Sequence, residues 1–428
     1  MVFRLLFSFL LLISCAQSAS AFITDEAQTL YQEYGDTIYQ IQVINKETQK
    51  KSSIGSGFQF TKDGIIGTNF HVVSDGILKP KQYDIRFLQE DGDSGSLEIL
   101  ATDIAHDLAL LKISRPGKKS LALGNSNLKK GEKAFSFGNP HDISFTVIEG
   151  TFNGLLEKSF YKKIHFSGSL NPGMSGGPVI SHQGEVIGIN VATSGNQISF
   201  LVPVEHLKDL YKKYKKDPKA QNIMIDTYRK LEQQILANQD HYIKPLLEKK
   251  WPLKKFSFLN LPDSIHSGFK CWGGPQHDEK DLYTHHTSSC SNWDRVFISD
   301  SFYTGPVVYN YDQIKSDILT PSQFSELYSE FYNKPLDIYW NVTEEHASKF
   351  SCKESFVELD KETWKSSFCM RQYKKFPKLF DTHIYLARVA DPKKTEGVIV
   401  SFALMGISMD NALKLSEKIL NNIKRFKG

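Results

Sequence analysis

Residues 25–205 are built from short apolar runs, each closed by a turn-forming residue, and this pattern constrains the fold more than any other feature. Runs at 38–44, 57–60, 64–67, 83–88, 108–113 and 134–137 are separated by Gly, Asn, Asp and Lys clusters. That spacing predicts an all-β sandwich or barrel. A hairpin is expected where Val179 and Ile180 lead through His182-Gln183-Gly184 into 185–191.

The pattern changes after residue 204. Lys, Gln, Glu and Leu dominate to residue 248, and Ile225, Tyr228, Leu231 and Ile235 recur at helical spacing. One or two connecting helices are expected. The Lys-rich stretch 212–219 fits a solvated helix end. Residues 250–428 are rich in aromatics and predict a small α+β domain. Strand-like stretches at 382–389 and 397–405 precede an amphipathic helix expected over 410–426, burying Leu413, Leu415, Ile419, Leu420 and Ile423. With 428 residues the chain is long enough for several cores. The expected division is a leader over 1–21, a β-rich domain over 25–210, a helical linker over 211–249 and the α+β domain over 250–428.

The leader carries Arg4, an apolar run at 5–13, and Ala19-Ser20-Ala21. The run is too short to span a bilayer, which takes ~20 apolar residues, and the small-x-small end reads as a secretory cleavage site. Leu12-Ile13-Ser14-Cys15 also resembles a lipobox, in which Cys15 is lipidated. Both readings export the chain: periplasmic or secreted in the first, an outer-membrane lipoprotein in the second. Cysteine usage agrees, because Cys271, Cys290, Cys352 and Cys369 all lie in the C-terminal part and an exported chain meets oxidising conditions. Three pairings are open. Cys271–Cys290 with Cys352–Cys369 closes the shorter loops and is favoured. His277, His285 and His286 raise a metal site as the rival, but the spacing matches no common zinc pattern. No metal or other cofactor is expected. A net charge of +4 without a basic, aromatic-interleaved stretch gives no reason to expect nucleic acid. The only membrane attachment implied is through Cys15.

Chemistry concentrates at three places. Asn171-Pro172-Gly173-Met174-Ser175-Gly176-Gly177-Pro178 holds a serine among glycines. A serine hydroxyl needs a neighbouring base to act as a nucleophile. Gly173 tolerates the backbone angles that let its own N–H and that of Ser175 converge as an oxyanion hole. The G-x-S-x-G pattern also fits an α/β-hydrolase elbow, but there the acid and histidine follow the serine. Here they precede it. His71 is expected to end a strand before a turn at Ser74-Asp75-Gly76 and is the base candidate. Asp107 stands before an apolar strand and is the partner that fixes the His tautomer. His106 is expected to be a bystander facing the other way.

With those residues in the order His, Asp, Ser, the chain resembles trypsin-like serine proteases of the HtrA (Deg) type. The segments that carry the resemblance are IGSGFQFTKDGIIGTNFHVV at 54–73, DIAHDLALLKI at 103–113 and LALGNSNLKKGEKAFSFGNP at 121–140. GSLNPGMSGGPVISHQGEVIGIN at 168–190 and ISFLVPVEHL at 198–207 complete the set. The resemblance covers roughly residues 30–210. It implies a chymotrypsin-like double β-barrel with His71, Asp107 and Ser175 in the cleft, and Gly173 with Ser175 at the oxyanion hole. It also implies an exported serine endopeptidase acting on proteins or peptides through an acyl-enzyme. By the same resemblance Ser169, Leu170, Val191, Ala192 and Thr193 line the primary pocket. They include no carboxylate, so a small or medium apolar side chain is expected there. The chain departs from the family at Met174, where relatives carry Asn or Asp. Methionine cannot make their polar contacts, which predicts a looser loop or one needing activation. No PDZ-like pattern is recognisable after residue 210. The competing functions are a protease fold kept for binding or signalling, and an esterase using the same triad.

Overall fold

The structure is a computed structural model that describes residues 25–193, 197–275, 282–292, 294–300, 302–333, 342–389 and 394–426. The leader, Cys15 and His277 lie outside the described residues. After helix α1 (Asp25–Tyr34), six strands form a closed barrel in the order β1-β2-β3-β6-β5-β4. They are β1 (Ile38–Asn45), β2 (Lys51–Gln59), β3 (Ile65–Thr68), β4 (Tyr83–Leu88), β5 (Ser94–Asp103) and β6 (Leu108–Ile113). Helix α2 (Phe70–Leu78) sits between β3 and β4.

A second barrel follows, made of β8 (Lys133–Gly138), β9 (Thr146–Leu155), β10 (Ile164–Phe166), β11 (Pro178–Ser181), β12 (Glu185–Thr193) and β13 (Ser199–Pro203). The order β11-β8-β9-β10-β13-β12 is closed by pairing of β11 with β12, and the short β7 (Ala122–Leu123) adds to β12 in parallel. The architecture is therefore the chymotrypsin-like double barrel. Phe58, Leu108 and Leu110 of the first barrel meet Phe135, Phe137, Ile180 and Val202 of the second in one buried cluster. A smaller cluster, with Phe152, Ile164, Phe166, Leu170 and Met174, fills the second barrel itself.

Helices α3 (Val204–Lys216), α4 (Pro218–Gln221) and α5 (Thr227–Glu248) lead to the C-terminal region. Ile225 does not belong to the helical stripe: it precedes α5, in a turn, and is 57% exposed. The C-terminal region first forms β14 (Leu253–Phe256), β15 (Leu259–Pro262), β16 (Lys270–Pro275), β17 (Thr284–Ser291), β18 (Val296–Ser299), β19 (Phe302–Thr304) and β20 (Val307–Lys315). Helix α6 (Pro321–Asn333) is followed by β21 (Ser351–Leu359), β22 (Glu362–Gln372), β23 (Phe380–Val389) and β24 (Glu396–Ile407), then by α7 (Met409–Asn421) and β25 (Lys424–Arg425). Seven strands make one antiparallel sheet in the order β16-β17-β20-β24-β23-β22-β21. Disulfides join Cys271 to Cys290 across β16 and β17, and Cys352 to Cys369 across β21 and β22.

The terminal helix is shorter than its apolar pattern predicts. It ends at Asn421, because Lys424 and Arg425 leave it to pair with Asn260 and Leu259 of β15. Its buried face is Ala412, Leu415, Ser416 and Ile419, whereas Leu413 is 54% exposed. Leu413 lies a step of ~100° from Ala412 and so falls off the stripe that Leu415 and Ile419 define. The core of the first barrel does not stop at its wall. Phe70, Val73 and Ile77 of α2 belong to the same buried cluster as Leu231 and Ile243 of α5, and Ile298, Phe302 and Val400 of the C-terminal region. The C-terminal region is thereby packed against the helix that carries His71.

Candidate active site

His71 is the second residue of α2, not the end of a strand, and Ser74-Asp75-Gly76 continues the helix. This matters because the first N–H groups of a helix lack intrahelical acceptors. The residue before the helix, Asn69, provides no side-chain cap. Asp107 does so from just before β6, the strand paired with β3. Its Oδ1 accepts the His71 backbone N–H at 2.9 Å, and its Oδ2 lies 2.6 Å from His71 Nδ1. Its carbonyl accepts from Phe70 N–H at 3.1 Å and from Asn69 Nδ2 at 2.8 Å. Asp107 adopts φ +57°, in the left-handed region that Asp enters more readily than most residues, just before β6. One residue thus holds the backbone and the ring of His71 together.

The electrostatics follow from this arrangement. Burial pulls the His71 imidazole down. The charge and hydrogen bond of Asp107, with a further contribution from the charge of Asp300, push it up, and its pKa stands above the ordinary histidine value. An ionised Asp107 requires Nδ1 to carry the proton, leaving Nε2 as the acceptor.

Ser175 is brought to the same place by its backbone. Its carbonyl accepts the Ser56 N–H at 2.7 Å. Ser56 lies on β2 beside Gly55, where a Cβ would stand 2.5 Å from Val72 Cγ1 and 3.1 Å from the Ser175 carbonyl oxygen. Only a glycine lets α2 and the serine loop close on β2 together. Ser175 is partly exposed, as is His71. Among the described residues the Ser175 hydroxyl makes no hydrogen bond, so the step to His71 Nε2 is left open in this state.

The serine loop is tightly held. Gly173 has φ +97°, and a Cβ there would meet the Asn139 carbonyl oxygen at 2.3 Å. The Ser56 hydroxyl donates to the Gly173 carbonyl at 2.7 Å and accepts the Asn139 N–H at 3.0 Å. The Pro172 carbonyl accepts the His141 N–H at 2.8 Å. C=O and N–H point in opposite directions across a trans peptide, so the Gly173 N–H is directed away from His141. Among the described residues neither that N–H nor the Ser175 N–H has an acceptor. His141 and Asp142 are themselves in left-handed conformations, and Asp142 is tied to Gln40 at 2.8 Å and to Lys51.

Met174 is held by burial and by its backbone. Its side chain is fully buried among Phe166, Leu170, Val179 and Ile187. Its carbonyl accepts from Gly177 N–H at 3.0 Å and from Asn190 Nδ2 at 3.2 Å. Asn190, fully buried, also accepts from the Ser136 hydroxyl, takes the Gly176 N–H on its carbonyl and gives its own N–H to Gly177. An apolar anchor at Met174 and a buried amide hub at Asn190 together hold residues 174–177.

The residues expected at the primary pocket separate. Leu170 is buried in the second-barrel cluster, and Ser169 is exposed. Val191 lines a cavity of about 90 Å³ together with Asp107, Tyr161, Val202, Arg295 and Phe297. Ala192 and Thr193 pair through their backbones with Phe200 and Ser199. His106 turns away from the site: its Nδ1 lies 2.8 Å from Asp103 Oδ2, and its ring stacks on His206 at 3.7 Å. His285 is engaged with Asp312 at 2.7 Å. Among the described residues no cluster of His, Cys, Asp or Glu is arranged to hold a metal. Sequence reading missed Ser56, Asn190 and Phe297. The first two sit inside segments that resemble the family; nothing in the sequence ties Phe297 to His71.

Residues 55–189 match the family model of the trypsin-like peptidase domain. A probable periplasmic serine endoprotease, DegP-like, of Pseudomonas fulva is 34% identical over 172 residues, covering 38% of this chain and 35% of its own length. A protein of the same description from Chlamydia pneumoniae is 35% identical over 169 residues, 37% and 33% of the two lengths. Serine protease HTRA1 of Xenopus tropicalis is 34% identical over 164 residues, 36% and 34%. The chain thus spans about a third of the length of these curated relatives. Among solved structures, an HtrA-type protease with a tripeptide is similar at a TM-score of 0.39 and 22% identity, covering 44% of this chain and 63% of that one. The N-terminal part of the chain is a trypsin-like peptidase domain with DegP/HtrA relatives.

Proposed function

We propose that this chain is an exported serine endopeptidase. Ser175 attacks the scissile carbonyl, His71 Nε2 takes its proton, and Asp107 holds His71 in the required tautomer and stabilises the imidazolium that forms. The Gly173 and Ser175 N–H groups receive the developing oxyanion, and the resulting acyl-enzyme is hydrolysed by water. The observation that carries this reading is the double hold of Asp107 on His71, at 2.9 and 2.6 Å, beside a serine whose carbonyl is pinned to β2. Two unengaged N–H groups on a rigid loop support the oxyanion role. Each such donor is worth ~3–4 kcal/mol of transition-state stabilisation.

In this reading residues 25–210 are the protease unit, 211–249 the connector and 250–428 a further domain. The primary pocket takes a small or medium apolar side chain, since Ser169, Leu170, Val191, Ala192 and Thr193 include no carboxylate. Periplasmic relatives and two disulfides support export. Among the described residues no helix is long and apolar enough to cross a membrane.

Digestion of casein tests the proposal. The full chain is expected to degrade it and the Ser175→Ala variant is not. Equal loss of casein with both proteins would refute the assignment of Ser175. Turnover of a p-nitrophenyl ester without casein cleavage would replace the protease by an esterase.

A further inference from the structure

The C-terminal region reaches into the catalytic cleft. Asp294, 8% exposed, is clamped to the loop between β9 and β10 of the second barrel. Its Oδ1 accepts from the Ser159 hydroxyl at 2.9 Å, and its Oδ2 accepts the Phe160 N–H at 2.9 Å. Three residues later the ring of Phe297 stands edge-on to His71, with centroids 5.8 Å apart, and to Phe70 at 6.4 Å. The segment 294–297 therefore bridges from the second barrel to the first, beside the triad. Between its two anchors the Arg295 guanidinium lies over the ring of Tyr303, 4.1 Å from its centroid. The turn after β18 brings Asp300 close enough to His71 for its charge to be felt.

What this segment encloses is specific. The cavity of about 90 Å³ has Asp107 and Val191 on the protease side and Phe297 and Arg295 on the C-terminal side. The cavity adjoins the site through Asp107, which is bonded to His71, and through Phe297, whose ring meets that of His71. On the β11 side, the backbone bonds of β12 run on through Asn190 to Gly176 and Gly177, and beyond Asn190 the strand pairs with β13 on its other side. An extended peptide can add to an open strand edge of this kind through its backbone. Its residue next to the scissile one then presents its side chain towards the His71 ring and this cavity.

We propose that Phe297 is a specificity-determining residue of the protease: with Val191 and the His71 ring it walls the subsite for the substrate residue immediately before the scissile one, and limits that residue to a small side chain. The C-terminal region is then part of the cleft. This rests on the assignment of Ser175 and His71 above. A hydrophobic wall of this kind discriminates by about 10- to 200-fold for each added methylene or so.

Peptidyl diphenyl phosphonates that differ only at this position, Ala against Leu, test it on the full chain. Second-order labelling rates are compared within each protein, so that only the Ala/Leu ratio is read. Wild type is expected to favour Ala about 10-fold or more. Phe297→Ala is expected to bring the ratio close to unity. Phe297→Leu, which keeps an apolar side chain against the shared core and guards against a folding failure, is expected to fall between. A ratio near unity in wild type, or the same ratio in wild type and Phe297→Leu and Phe297→Ala, overturns the inference and leaves the protease reading standing. Absence of labelling in wild type overturns that reading, and this inference with it.

Discussion

Asp107 holds His71 twice, by the backbone N–H through Oδ1 at 2.9 Å and by the ring Nδ1 through Oδ2 at 2.6 Å. The same carboxylate that caps the start of α2 therefore fixes the tautomer. Asp107→Asn keeps the shape but offers an amide NH₂ or a neutral oxygen where the ring N–H needs an anion. Activity is expected to fall by about 10³- to 10⁴-fold, by analogy with the template triad. The cap weakens too, so the melting temperature should drop modestly. Steady-state kinetics with a peptide substrate, together with calorimetry, check both effects. A variant within tenfold of wild type would contradict the role given to Asp107.

The raised pKa of His71 has a direction that kinetics can read. The base must be neutral to accept the Ser175 proton, so activity falls as pH drops through the His71 pKa. That acid limb is expected above the ordinary histidine value, since Asp107 and Asp300 outweigh burial. Asp300→Asn removes one anion and should move the limb of kcat/KM to lower pH, leaving the plateau in place. A limb that does not move would show that Asp300 does not act on His71. As a group with a raised folded pKa, His71 contributes stability below its unfolded pKa, and that contribution is lost as pH rises through the folded value.

His206 behaves in the opposite sense. Burial first, and then the charge of His106 stacked on it, lower its pKa to about 4. Between that value and the ordinary histidine range the unfolded chain binds a proton that the folded chain refuses. Stability is therefore expected to decline as pH falls from the ordinary range towards 4. Denaturant unfolding at a series of pH values measures this, and His206→Phe should flatten the decline. An unchanged slope in that variant would refute it.

Met174 is argued to anchor the oxyanion loop by burial. Met174→Ala removes most of a fully buried side chain, and such truncations cost about 2–5 kcal/mol. Both the melting temperature and the rate of phosphonate labelling should fall. A wild-type melting temperature would show that the side chain is not held as described.

The Asp142 tether is expected to act on chemistry more than on stability. His141 orients the Pro172–Gly173 peptide, and Asp142, itself exposed, is held by Gln40 and Lys51. Asp142→Ala should let that peptide turn, lowering the labelling rate about 10-fold or more, part of the 10²–10³ that a whole oxyanion donor supplies. Circular dichroism melting should change little. An unaltered labelling rate would free the loop from this tether.

The β-rich class was legible from short apolar runs closed by turn residues, whereas the double barrel came from the resemblance: β3 is buried at every position and β9 does not alternate, so neither shows a strand period. His71, Asp107 and Ser175 were each weak signals alone; their order along the chain and the segments of resemblance around them singled them out. Their local settings were less legible. His71 reads as a strand end since Phe70-His71-Val72-Val73 is apolar and β-branched, yet Asp107 supplies a helix cap from 36 residues away. A partner that distant leaves no local trace. Met174 reads as a missing polar contact because sequence does not show that its side chain enters the second-barrel core. Leu413 fits a helical stripe on paper, and only the neighbours packed against α7 decide which face is buried. Phe297 is the extreme case: 226 residues separate it from His71, and no pattern within either segment announces that their rings meet.

Labelling of the full chain with a fluorophosphonate, followed by peptide mapping of the adduct, addresses the central claim most directly. The account predicts one stoichiometric adduct on Ser175, lost in His71→Ala as well as in Ser175→Ala. Folded protein that takes up no label, or takes it up on another serine, would contradict it.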